Sequence, residues 1–170
     1  MLLFKNSRYS SDGPSRSLLL EAAHGRLRAT KSQDDVITVV RDAARGIFGA
    51  EGVTFVLREH SMCHYVEEDA MSPLWKGQRF PMTACISGWA MLNGRSAAIA
   101  DVFADARIPH EVYRKTFVKS LIMAPVGMDT PVAAIGAYWR EKRAFSGEDI
   151  QTVETLAGYV GQALKRAQAA

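Results

Sequence analysis

The stretch from Lys119 to Trp139 constrains the fold more than any other part of the chain. It holds two apolar runs, Leu121–Val126 and Val132–Trp139, separated by a linker carrying Gly127, Asp129 and Pro131. These residue types favour turns for separate reasons: free φ, local side-chain hydrogen bonds and a preset φ. The spacing therefore predicts a β-hairpin. Both runs are almost continuously apolar, so the hairpin is expected at the centre of a sheet and covered on both faces. Pro125 has no amide proton and marks a strand end or bulge, while Gly136 lets another group approach the backbone. A two-faced hairpin needs a layer on each side, and the rest of the chain must supply both.

Helices supply one layer. Residues 1–14 are polar and punctuated by Gly13 and Pro14, which suggests a loose leader. A helix is expected from Ser15 to about Thr30, with Leu20, Ala23 and Leu27 on one stripe. Ser32 opens a second, with Asp35 placed to complete a capping box. Its apolar residues Val36, Val39, Val40, Ala43, Ala44, Ile47 and Phe48 recur at the spacing of one buried helical face, and Gly49 and Gly52 end it. Ser146 caps the last helix, with Glu148 and Asp149 in its first turn. There Ile150, Val153, Ala157, Val160, Leu164 and Ala167 alternate steps of three and four residues, a heptad seam that predicts a homodimer interface. Leu156, Tyr159 and Ala163 form a second strip that can lie on the sheet.

Between these helices, Val53–Arg58 and Met62–Val66 read as a second hairpin. Thr83 is the expected N-cap of a short helix, Ala84–Leu92, stopped by Asn93-Gly94. A strand at Ala97–Ala100 follows, and Pro109 begins a helix through about Phe117. The order predicts an α+β fold: an antiparallel sheet of about five to six strands, with the long terminal helices on one face. Segments between residues 73 and 118 roof the other face and enclose a pocket. At 170 residues, one domain over 15–170 is expected.

Several function classes are excluded. The net charge is only +3, with acids and bases interspersed, so no nucleic-acid partner is implied. No apolar run approaches the ~20 residues of a membrane span. The two cysteines, Cys63 and Cys85, form no CxxC pair, which argues against a disulfide scaffold or structural zinc and fits the cytoplasm. His24, His60, His64 and His110 lack metal-ligand spacing. No G-x-G-x-x-G or P-loop is present, so a small-molecule ligand is expected without a metal or nucleotide motif to name it.

The candidate ligand residues fall in the roof. Trp75, Trp89, Tyr113 and Phe117 could stack on a planar ligand or close a dry core. Asp101, Arg107 and His110, with Arg114 and Lys119, give the roof a basic bias suited to an anion. Ser120 could donate to a ligand or cap a strand end. Cys85 falls in the first turn of the Ala84–Leu92 helix, where the positive helix end favours thiolate and redox sensing. Cysteine is also a common buried filler, and both cysteines are read first in that way.

Val53–Leu57, the run Arg79-Phe-Pro-Met-Thr-Ala-Cys-Ile-Ser-Gly-Trp-Ala-Met-Leu-Asn, Ile99-Ala-Asp-Val, Lys119–Val126 and Ala134-Ile-Gly-Ala-Tyr-Trp together resemble a GAF domain over roughly residues 15–170. The run from Asp105 to Arg114, followed by Thr116–Leu121, resembles GAF domains of bacterial sensor histidine kinases, which often sit beside PAS modules. The resemblance implies a sensory module that binds a small molecule and signals through dimerising terminal helices to a histidine kinase or another output partner. No kinase motif is present. Some stand-alone GAF domains reduce free methionine sulfoxide with clustered cysteines, and others hold bilins. This chain has two cysteines and none in the Pro109–Phe117 segment. The expectation is therefore a binding module rather than an enzyme, with a reductase or a bilin photoreceptor as alternatives.

Overall fold

The computed structural model describes residues 13–170, so all but the last two residues of the expected leader lie outside the described residues. Helices α1 (Arg16–Arg28) and α2 (Gln33–Phe48) come first, capped by the Ser15 and Ser32 side chains. Ser32 and Asp35 form the expected capping box, and Gly49 closes α2 in a left-handed conformation. Strands β1 (Gly52–Glu59), β2 (Met62–Ala70) and β3 (Arg79–Pro81) follow, then helix α3 (Ile86–Asn93) and strand β4 (Ala97–Ile99). Helix α4 (His110–Arg114) precedes the hairpin β5 (Ser120–Val126) and β6 (Ala133–Trp139), and α5 (Gly147–Ala169) ends the chain.

The six strands pair in the order β3-β2-β1-β6-β5-β4, antiparallel throughout. The predicted hairpin is central and two-faced. Along β6, Ala133, Ile135, Ala137 and Trp139 enter the core beneath the helices, while Ala134 and Tyr138 enter the core beneath the roof. Gly136 is the gap in that alternation: a Cβ there would collide with the Tyr138 side chain lying across it. Pro125, one residue from the end of β5, stands opposite Ala134. The helical layer rests on Leu27, Val36, Val40, Ile47, Leu156 and Val160, all nearly free of solvent. The Trp139 indole donates to the Gly49 carbonyl at 2.9 Å and pins β6 to the end of α2.

Three expectations need correction. The α5 seam is not a free surface: Val153, Ala157, Val160 and Leu164 lie in the core of the single chain, and Ile150 and Ala167 are half-buried. A wide apolar stripe has satisfied both strips against the chain's own sheet and helices. The segment after Pro109 makes only a five-residue helix, and Phe117 lies beyond it. The space beneath the roof is filled, as described below. No helix among the described residues is long and apolar enough to cross a membrane.

Candidate functional site

Strand β3 pairs with β2 so that Phe80 stands opposite Cys63. The chain then makes a 3-10 turn, Met82–Ala84, and reaches Cys85 in an extended conformation as the N-cap of α3. This role had been expected of Thr83, which the turn takes up instead. Turn and helix are pressed together, since a Cβ on Gly88 would overlap the Met82 carbonyl. Cys85 is thus fixed from both sides, beside Cys63.

A short polar network surrounds the pair. The Cys85 thiol donates to the Pro81 carbonyl at 3.4 Å and lies 3.3 Å from the Ser87 hydroxyl. Ser87 in turn bonds the Tyr65 hydroxyl at 3.0 Å. Both cysteines are free thiols, with Cys63 fully buried and Cys85 only 6% exposed. The neighbouring Cys63 thiol does most to lower the Cys85 pKa, burial opposes it, and the Ser87 hydroxyl with the Gly88 and Ser87 amides lowers it further, to about 6. The nearness of Cys85, together with burial, pushes Cys63 upward. Within the pair, Cys85 is therefore the thiol that ionises first.

A groove of about 520 Å³ lies over Cys85, lined also by Met82, Trp89, Leu92, Arg107 and Pro109. The Arg107 guanidinium stacks 4.3 Å above the Trp89 ring and is held by both oxygens of Asp105. Cys85, Trp89 and Arg107 are the sequence candidates brought together here. His110 braces the groove wall from behind, its Nε2 2.9 Å from the Asp105 carbonyl.

The remaining candidates lie elsewhere. Trp75 and Tyr113 pack 4.7 Å apart in an aromatic cluster with Tyr65, Phe80 and Tyr138. Only about 10 Å³ is left among Tyr65, Trp75, Phe80, Tyr113 and Cys85, room for one water at most and none for a planar ligand. Phe117 approaches Gly52, on β1. Ser120 is buried and donates to the Glu141 carbonyl at 2.7 Å. Asp101 caps the 3-10 turn at Val102–Ala104 and pairs with Lys142. The sequence reading missed Ser87, Tyr65 and Glu68. Glu68 accepts the amides of Leu74, Trp75 and Lys76 at 2.7–2.8 Å, fixing the loop that carries Trp75. The reading also set Cys63 apart from Cys85, because only the β2–β3 register brings them together.

Comparison with known proteins gives the fold its context. A family model described as GAF domain matches residues 30–165. No curated protein matches the sequence. Among solved structures, the free methionine-R-sulfoxide reductase of Neisseria meningitidis, in complex with its substrate, superposes with a TM-score of 0.77 at 16% identity, covering 97% of this chain and 99% of that one. A GAF domain from a phosphoenolpyruvate-protein phosphotransferase of Coxiella burnetii gives 0.78 at 12%, covering 91% and 95%. A phycoerythrobilin-bound GAF domain from a cyanobacterial phytochrome gives 0.76 at 15%, covering 93% and 98%. The expectation that the chain is not an enzyme is overturned by the first of these, because an enzyme is built on this same fold. Its stated ground, the scarcity of cysteines, is also weakened, since the two present are adjacent. With most of its length matched by the family model and its fold shared by the proteins named, the chain belongs to the GAF domain family.

Proposed function

We propose that this GAF domain performs thiol-disulfide chemistry on a small oxidised substrate, with Cys85 as nucleophile and Cys63 as resolving thiol. The carrying observation is an acidified thiol beside a second thiol, under a groove wide enough for a small molecule. The named substrate is a free sulfoxide such as methionine-R-sulfoxide, a choice supported by the likeness to the Neisseria meningitidis enzyme. The Cys85 thiolate attacks the sulfoxide sulfur and, with a proton from solvent, ends as a sulfenic acid while the sulfide departs. The Cys63 sulfur then attacks the Cys85 sulfur. The hydroxyl leaves with the Cys63 proton as water, and a disulfide remains. Two electrons pass from the thiols to the sulfoxide, and an external dithiol restores them.

The test is methionine formation from free methionine-R-sulfoxide with excess dithiothreitol. Wild type should turn over repeatedly and Cys85→Ser should form none, while Cys63→Ser incubated without dithiothreitol should form one equivalent and hold a trappable sulfenic acid. Wild-type turnover that persists in Cys85→Ser would overturn the assignment.

A second reading is redox sensing, in which the disulfide itself is the signal passed to a histidine kinase or another output partner. The burial of both sulfurs favours it, because a sheltered pair reacts seldom and holds its state. Stoichiometric oxidation by peroxide with no catalytic turnover would select it over the reductase.

A further inference from the structure

The thiol chemistry proposed for Cys85 and Cys63 leaves a disulfide after every turnover, and the fold restricts what can reopen it. Exchange begins when an external thiolate meets one of the two sulfurs. Cys63 shows no exposure and does not line the groove, whereas Cys85 lines it at 6% exposure. Of the two, only Cys85 can be reached. The 170 residues contain no third cysteine, so no surface thiol among them can pass electrons inward.

The groove also limits the size of what reaches Cys85. Its walls are Trp89, Leu92 and Asn93 from α3, and Ala106, Arg107 and Pro109 from the segment leading into α4. The Arg107 stack on Trp89 joins one wall to the other, and Asp105 clamps the guanidinium in place. The turn before Cys85 is wedged against Gly88, so the floor is fixed as well. A protein dithiol carries its sulfur on a folded surface and would have to part these walls. The volume of about 520 Å³ instead suits a small molecule.

We propose, resting on that reading of the pair, that the reductant is a low-molecular-weight thiol admitted by the groove, and that a protein dithiol does not replace it. The small thiolate attacks the Cys85 sulfur, and the electrons of the disulfide bond leave on Cys63, which takes a proton from solvent. Cys85 is then joined to the small thiol. A second thiolate attacks the small-thiol sulfur of this mixed disulfide, and the bonding electrons leave on Cys85. Two small thiols have become one disulfide, and both cysteines are thiols again. Burial disfavours the Cys63 thiolate, which makes the first exchange the slow one. Sulfoxide and reductant take turns in one groove.

The test starts from wild-type protein oxidised with diamide, its Cys63–Cys85 disulfide checked by mass spectrometry. Reopening is timed with glutathione, and separately with thioredoxin kept reduced by its reductase and NADPH. Insulin serves as the control that the thioredoxin is active. Glutathione should reopen the disulfide, and thioredoxin should be no faster per mole. Failure of glutathione, or a thioredoxin rate constant about tenfold or more above it, overturns the proposal. The mixed disulfide should form at Cys85, and an adduct at Cys63 also overturns it. Ala106→Trp narrows the groove at an exposed position and should slow glutathione about tenfold or more. An unchanged rate in that variant, folded as wild type by circular dichroism, counts against entry by the groove and overturns the proposal. The two levels of failure are distinct. A pair that forms no disulfide sinks the reading of Cys85 and Cys63 together with its reductant, whereas a disulfide that thioredoxin opens faster sinks the reductant alone.

Discussion

The two sides of the sheet are packed by different means. Beneath the helices the core is Val, Ile, Leu and Ala, with the aromatic rings of Phe48, Phe55 and Trp139 among them. Beneath the roof it gathers Tyr65, Trp75, Tyr113, Tyr138, three methionines (Met82, Met91 and Met123) and both cysteines. Apart from the Trp139 indole bond to Gly49, the first side is held by shape, so similar volumes could replace one another with modest loss. On the second, buried hydroxyls and thiols must each find a partner, and directional bonds fix where they sit. The Thr54–Tyr138 hydroxyl pair at 2.8 Å and the Tyr65–Ser87–Cys85 chain are such bonds. Reactive groups collect where packing alone does not decide the arrangement.

The contrast can be broken most severely on the helix side. Leu164→Glu places a carboxylate at a site 2% exposed, without a partner, and should abolish cooperative folding rather than merely dissociate a dimer. Far-ultraviolet circular dichroism with a thermal melt reads this directly. Leu156→Ala, at a position with no exposure, should cost about 2–5 kcal/mol in urea denaturation while leaving thiol reactivity unchanged. On the roof side, Tyr138→Phe removes only an oxygen but strands the Thr54 hydroxyl, and a loss of about 1–3 kcal/mol is expected.

The smallest effect is the most specific to the roof. Alkylation of Cys85 by iodoacetamide requires the thiolate, so its rate should rise as pH passes about 6 and level off above. An ordinary cysteine would rise near pH ~8.5. Ser87→Ala removes a donor to the thiolate and should move that midpoint upward with little change in stability. An unchanged midpoint would mean that the Ser87 hydroxyl does not serve Cys85.

The same contrast decides what could be read from the sequence. Helices α2 and α5 were legible because periodicity and capping boxes act over a few residues, as at Ser32 with Asp35 and Ser146 with Asp149. The central hairpin was legible because both its faces are apolar. The α5 seam was seen but misassigned, since steps of three and four serve a sheet-packed stripe as well as a coiled coil. On the roof side, local signals ran out. Cys63 meets Cys85 only because a three-residue strand finds its register after a long loop, and nothing near either cysteine records that. The filled chamber was likewise hidden, because it depends on where that loop delivers Trp75.

Glu68 holds that loop by three consecutive amides, and so one carboxylate works as the hinge pin of a door. Trp75 closes the chamber against Tyr113 and Tyr138, and it cannot swing aside while its own amide and those on either side of it remain held. Charge-assisted bonds of this kind are among the stronger ones available to a backbone. A visitor to the space under the roof must therefore wait for a rare opening, whereas a visitor to the groove over Cys85 waits for nothing. The domain thus has a shuttered room and an open porch, and the sulfur sits on the wall between them.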